Sequence, residues 1–254
     1  MTVLSALLVA IGLADLLRSL HPQPTGSARE IRWVPIAGVL VLVVIAATCG
    51  LLATWGGVVL TIPAVIGLVA RLLCAEEADR GTGHRRAPAV FAGALLVQLL
   101  GSGWAPLVTG WLARWLARSQ LPRQPEPDRA LLLAGLVLVQ LATGNRVVRL
   151  VPVTTGALPP GPLSGGADGE LRGGRLLGPL ERIFIPGLGL AGELTAAGLV
   201  IAAKGLIRWP ELKSHSGTDE DGRRPSDIDK VTEYFLVGSF VSWLVAMTAL
   251  VLAS

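Results

Sequence analysis

The sequence predicts an all-α protein, a polytopic transmembrane helical bundle of about six spans plus a broken or re-entrant helical hairpin. Three observations carry this. Of its 254 residues 52% are hydrophobic and only 16% charged, and the apolar residues gather into blocks instead of recurring at the intervals of a soluble core. Several blocks approach the ~20 apolar residues that a helix needs to cross ~30 Å of hydrocarbon at ~1.5 Å per residue. The basic residues, which raise the isoelectric point to about 9.7, stand at the ends of those blocks, where membrane orientation puts them. That placement accounts for the charge without a nucleic-acid partner; the bilayer itself is the expected partner, with a homo-oligomer or a membrane-complex partner compatible.

Taken in order, Val3–Leu20 is the first span. It has no basic residue ahead of it, contains Asp15, and is followed by Arg18-Ser19-Leu20-His21-Pro22 instead of a small-residue cleavage site, so it reads as a retained span and not an export signal. Val34–Ala53 and Gly57–Leu73 follow, with Trp55-Gly56-Gly57 as the tight turn between them. Ala89–Leu116 is too long for one span and is interrupted by Gly101, Gly103 and Pro106. Its second limb carries Leu107, Val108, Trp111, Leu112, Trp115 and Leu116 at helical spacing, with Arg114 and Arg118 on another face. Ala130–Val151 is apolar in its first half and holds Asn145, Arg146 and Arg149 in its second. Ile183–Leu206 and Tyr234–Ala253 complete the set. The organisation expected is membrane helices over 1–151, a Gly/Pro-rich loop over 152–180, and a carboxyl-terminal helical hairpin over 181–254 with a flexible loop at 209–232.

Charge counting sets the expected topology. If Ala89–Leu116 crosses once and the amino terminus is outside, Lys and Arg divide 12 inside to 10 outside. If it folds back at Gly101 to Pro106, 17 of the 22 lie inside, leaving Arg146, Arg149, Arg172, Arg175 and Arg182 outside, which satisfies the positive-inside rule better. The folded-back hairpin is therefore expected, and an interfacial second limb would reverse the parity of everything after it.

Charged residues inside apolar blocks are the candidate functional groups, since a charge at mid-span costs at least ~2.5 kcal/mol on insertion scales. Glu193 stands in the middle of Ile183–Leu206, and Lys204 follows eleven residues later. On one continuous helix Glu193, Ala197, Val200 and Lys204 share a stripe, with the two charges about 16 Å apart along the axis. Gly187, Ala191, Gly198, Ala202 and Gly205 line a roughly opposite small-residue stripe that lets helices approach closely in lipid, so this span is expected to be central. Lys204 and Arg208 match Glu233 in depth and are expected to pair with it. Arg146, Arg149, Glu181 and Arg182 form a second expected cluster near the other boundary. Gln98, Gln140 or water are the partners available to Glu193. Asp15 and Arg18, three residues apart, read as a local helix pair, and Glu76, Glu77 and Asp79 as a solvated loop neutralised by Arg80, Arg85 and Arg86.

The stretch from Gly173 to Arg182 (Gly-Gly-Arg-Leu-Leu-Gly-Pro-Leu-Glu-Arg), then Gly192-Glu-Leu-Thr-Ala-Ala-Gly-Leu-Val-Ile-Ala-Ala-Lys204, then Glu233-Tyr-Phe-Leu-Val-Gly-Ser239, resembles a widespread family of bacterial integral membrane proteins of unknown function. In that family a Gly-x-x-Ile-Gly-x-Leu-Glu-Arg segment leads into a span ending Ala-Lys-Ser, and the next opens Glu-Tyr-Phe/Tyr-Leu-Ile-Gly-Thr; here Gly205 and Ser239 stand at the Ser and Thr positions. The resemblance covers roughly residues 140–254. It implies a helical fold and a multi-pass place in a bacterial cytoplasmic (inner) membrane, and brings no activity.

Other chemistry is thinly represented. Cys49 and Cys74 have no paired spacing and read as small buried hydrophobes. His21, His84 and His215 lie in three separate segments, so neither a metal nor a cofactor is expected. Ser164, Ser239 and Ser242 lack a nucleophile-elbow context, and no phosphate-binding glycine loop is present. Three function classes remain. They are a small-solute or ion (proton or cation) channel or transporter beside Glu193, a structural or partner-binding membrane subunit, and a membrane enzyme on a lipid or lipid-linked substrate that would need Glu181, Arg182, Arg146 and Arg149 to converge on a pocket. The sequence favours the first and provides no catalytic set for the last.

Overall fold

The structure, a computed structural model, describes residues 1–20, 33–79, 85–119, 126–155, 174–215 and 225–254. It is all-α, with no strand among the described residues. The helices are α1 (Thr2–Leu20), α2 (Trp33–Thr48), α3 (Trp55–Asp79), α4 (Arg86–Leu100), α5 (Trp111–Arg118), α6 (Pro127–Leu138), α7 (Gly144–Thr155), α8 (Gly174–Leu190), α9 (Leu194–His215) and α10 (Pro225–Ala253). Among the described residues, five helices are by length and composition apolar enough to cross a membrane: Thr2–Leu20, Trp55–Ala78, Arg86–Trp104, Pro127–Val151 and Leu236–Ala253. α2, at 16 residues, is apolar but shorter. Ile36, Leu40, Ile62, Ile66 and Leu96 are exposed on α2, α3 and α4, a spread of apolar surface that suits lipid and not water.

The chain divides into two units, Met1–Thr143 and Gly144–Ser254, a division that falls within the Pro127–Val151 helix. In the first unit α1 is the central element, buried from Thr2 to Gly12 and again at Ala14 and Asp15, and it packs on α6, α2 and α3. Leu7, Ile11, Leu42, Leu68 and Leu72 are among its fully buried side chains. The approach of α1 to α6 depends on glycine. A Cβ on Gly12 would stand 2.6 Å from Leu138 Cβ, and one on Gly135 2.9 Å from Leu8 Cβ.

Several boundaries differ from expectation. α2 ends at Thr48, and the chain turns at Gly50, whose φ of 76° is the left-handed geometry that glycine adopts at no steric cost. A 3-10 turn, Leu51–Ala53, leads into α3, so Trp55-Gly56-Gly57 is the first turn of a helix instead of the connection. Pro63 lies inside α3 and removes one backbone donor. Nearby, Gln98 of α4 donates from Nε2 to the Leu60 carbonyl at 3.1 Å, a side-chain bond to backbone of the kind that Pro-containing apolar helices use.

The interruption expected at Gly101 to Pro106 is present as a 3-10 turn, Gly101–Trp104, followed by extended chain and then α5. The second limb is short: an eight-residue helix is about 12 Å long, less than the thickness of a bilayer, and the hydrogen bonds around it gather at one end of the first unit. The Met1 amine donates to the Ser102 carbonyl at 3.3 Å, and Thr2 Oγ1 lies 2.6 Å from both the Pro106 carbonyl and Asp128 Oδ1. Cys49 O accepts from the Thr109 and Gly110 amides at 3.1 and 3.3 Å. α6 therefore starts at the end of the first unit where α1 starts.

Cysteine labelling checks this directly. In a chain with Cys49 and Cys74 replaced by Ala, Ser102→Cys and Ser119→Cys are expected to react from the same side of the membrane and Ser19→Cys from the other. Labelling of Ser119→Cys together with Ser19→Cys would restore the folded-back hairpin.

Candidate functional site

The charged centre of the first unit is built on α1, α3 and the helix that follows α6. Asp15 sits one turn from the end of α1 and is 2% exposed; Arg71 of α3 is 4% exposed. The Arg71 guanidinium grips the carboxylate in the bidentate manner, Nη1 to Oδ1 at 2.7 Å and Nη2 to Oδ2, the strongest geometry open to such a pair. Thr143 Oγ1 donates to Asp15 Oδ2 at 2.7 Å. Thr143 ends a π turn, Val139–Thr143, that interrupts the helix between α6 and α7; such turns recur at functional sites. The Arg71 guanidinium carbon lies 5.4 Å from the centre of the Phe91 ring on α4, a cation–π distance. Asp15 is thus held by α3 and by the π turn at once, and Arg71 reaches α4.

A second pair lies nearby on the same two helices. Arg18 Nη2 meets Glu76 Oε1 at 3.2 Å, and Glu76 is buried. This adds to one expectation and corrects another. Asp15 and Arg18, expected to pair locally, each reach across to α3, Asp15 to Arg71 and Arg18 to Glu76. Glu76 and Glu77 belong to α3 and not to a solvated loop.

At the opposite end Asp128 organises the first unit. Its Oδ1 is within reach of the Thr2 hydroxyl, and its Oδ2 accepts from the Val108 amide at 3.4 Å. It stands in the first turn of α6, after Pro127, where a carboxylate also complements the helix dipole. Burial lowers the Met1 amine below its ordinary value, against a smaller upward effect of Asp128.

The second unit places Glu193 differently from the sequence expectation. Ile183–Leu206 is not one helix. α8 ends at Leu190, the Gly192 amide bonds to the Gly189 carbonyl and the Glu193 amide to the Leu188 carbonyl, and Gly192 has φ 86°. That pair of bonds across a left-handed glycine is the Schellman stop. Glu193 follows it, exposed, and its carbonyl accepts the first bond of α9 from Ala197. The predicted stripe survives only from Ala197 onward, where Ala197 is buried and Val200 half-buried. On the other stripe Gly198, Ala202 and Ala191 are exposed, and the space beside Gly187 and Gly198 is open. The span expected to be central is thus largely exposed over its described residues. Lys204, Arg208 and Glu233 lie on α9 and α10, but their side chains, and hence the expected ion pair, fall outside the described residues. α10 packs on α8 and α7 and only lightly on α9.

Of the second expected cluster, Arg182 is the residue the structure defines best. It is 2% exposed on α8, donating from Nη1 to Ser242 Oγ at 3.3 Å and from Nη2 to Asn145 Oδ1. Gly144 makes room for it, since a Cβ there would lie 2.7 Å from Arg182 Nε. Arg182 ties α7, α8 and α10 together, while Arg146, Arg149 and Glu181 are half-buried. Buried there, it packs three helices of the second unit against one another.

Arg71, Thr143 and Asp128 were missed as site residues. The available signal was depth: Asp15 and Arg71 both interrupt apolar helices a short way from ends that face each other, and Glu126-Pro127-Asp128 has the proline and first-turn acid of a helix start. The described residues contain no group of His, Cys, Asp and Glu suited to a metal. No family model, no curated protein and no solved structure matches this chain.

Proposed function

We propose that this chain is a multi-pass protein of a bacterial cytoplasmic membrane that serves as a structural or partner-binding membrane subunit and not as an enzyme. The supporting observation is the closure of the Asp15 cluster. Both carboxylate oxygens are engaged by Arg71, and one of them also by Thr143; a site that exchanges a coupling ion must instead leave coordination open. The open faces of Gly187 and Gly198 suit close approach by a further helix. We read the amino terminus as outside from the sequence alone: seven arginines (18, 29, 32, 71, 80, 85 and 86) stand in or beside the segments that join α1 to α2 and α3 to α4, against four (114, 118, 123 and 129) in or beside the segment that joins α4 to α6. The bacterial source rests on the resemblance of residues 140–254.

A second reading, a small-solute or ion channel or transporter, is favoured by a different observation. The helix stop at Gly192 leaves the Glu193 carboxylate exposed beside a helix terminus, and discontinuous helices are how transporters offer groups to ions. Liposome reconstitution separates the two. On the first reading, wild type and Glu193→Gln both show the proton and cation flux of protein-free liposomes. Wild-type flux that the Gln variant abolishes would replace the first reading by the second, because Gln keeps the shape and cannot ionise.

A further inference from the structure

α5 was expected to be amphipathic, with its leucines and tryptophans on one face and its arginines on another, but its faces are divided otherwise. Leu116 is buried and Leu112 and Ala113 pack against the core of the first unit, so the aliphatic face is already used by the protein. What points outward is Trp111 and Trp115, 58% and 53% exposed, together with the exposed Arg114 and Arg118. The two indoles stack, with centroids 6.3 Å apart and planes 22° from parallel. At 100° per residue these four side chains fall within about a third of the helix circumference.

The platform is fixed in place. The Thr109 and Gly110 amides bond to Cys49 O, and a Cβ on Gly110 would lie 2.1 Å from the Thr48 carbonyl, so the segment leading into α5 is seated against the end of α2. Trp104, 83% exposed, lies at the same end. Indoles at the end of an apolar bundle belong at headgroup depth, and guanidinium groups bind phosphate oxygens with two parallel donors. We propose that the outward face of α5 is a phospholipid headgroup site, with Arg114 and Arg118 on the lipid phosphate, Trp111 and Trp115 beside it at the glycerol level, and a preference for anionic phosphatidylglycerol over zwitterionic phosphatidylcholine. The inference is independent of whether the protein transports.

The test uses the full chain in phosphatidylcholine nanodiscs containing a small fraction of chain-brominated phosphatidylglycerol or, at the same fraction, chain-brominated phosphatidylcholine. The fluorescence of Trp111 and Trp115 is isolated by subtracting the Trp111→Phe/Trp115→Phe variant. The brominated phosphatidylglycerol is expected to quench this component at least about twofold more strongly, because each arginine near the surface attracts anionic lipid. Arg114→Gln/Arg118→Gln should bring the ratio to one and Arg114→Lys/Arg118→Lys should keep most of it. All four side chains are exposed, so the variants should fold as wild type does; if the double Gln chain does not, the wild-type ratio should itself fall to one near 1 M salt, where screening acts over about 3 Å. Equal quenching by the two lipids in wild type, a ratio unchanged by Gln, or no quenching by either lipid, as when a protein partner covers α5, would overturn the proposal.

Discussion

Replacing Asp15 by Ala is expected to destabilise the first unit by about 3–5 kcal/mol, because it removes the carboxylate that grips the buried Arg71 guanidinium. Arg71→Met should cost a comparable amount by stranding Asp15. The double variant Asp15→Ala/Arg71→Met should recover much of the loss, since desolvating an ion pair consumes most of what its attraction returns and an apolar pair has no such cost. Thr143→Ala alone should cost less, about 1–2 kcal/mol, because Asp15 keeps both contacts to Arg71 and loses one hydrogen bond. The measurement is reversible unfolding in mixed micelles followed by helical circular dichroism, read as a double-mutant cycle. If the two single losses simply add in the double variant, the residues act independently and the cluster is not the lock described.

Much of the architecture was legible because lipid imposes a length on its helices and tolerates charge only at their ends. α1, α3, α4, α6 with its continuation, and α10 follow directly from blocks of apolar residues. The polar interior was less legible, for a physical reason: which of two charges pairs with a third is decided by helix rotation and depth, and a linear sequence records neither. Asp15 has Arg18 one turn away, yet the partner that grips both its oxygens is Arg71, fifty-six residues on. The Glu193 error has another cause. Composition marks Ile183–Leu206 as one apolar run, yet a single glycine followed by a polar residue is enough to stop a helix when its amide hydrogen bonds close behind it. Gly192 followed by Glu193 carried that signal, and the uninterrupted hydropathy hid it. α5 was read correctly as amphipathic but with its faces wrongly divided, since tryptophan counts as apolar in a periodicity argument and behaves as an interfacial side chain in a structure.

Substituting Gly12 and Gly135 tests whether the approach of α1 to α6 is what brings Thr143 to Asp15. An added methyl on Gly12 meets the Leu138 side chain at 2.6 Å and its backbone carbonyl carbon at 2.9 Å, and one on Gly135 meets the Leu8 Cβ at 2.9 Å. None of these obstacles is the far end of a flexible side chain, so the helices must separate. Each of Gly12→Ala and Gly135→Ala is therefore expected to cost about 1–3 kcal/mol, the range for overpacking a filled interior, even though alanine is the better helix former. Since α6 leads straight into the π turn, the separation should also draw Thr143 away from Asp15, so that Thr143→Ala costs almost nothing further in the Gly12→Ala background. Gly93→Ala in α4 is the matched control. Nothing lies within 4 Å of its added methyl, and propensity alone should make it neutral or stabilising by up to about 1 kcal/mol. If Gly12→Ala and Gly93→Ala had the same effect, the glycine contact would not set the helix spacing, and the position of Thr143 would have to come from the π turn alone.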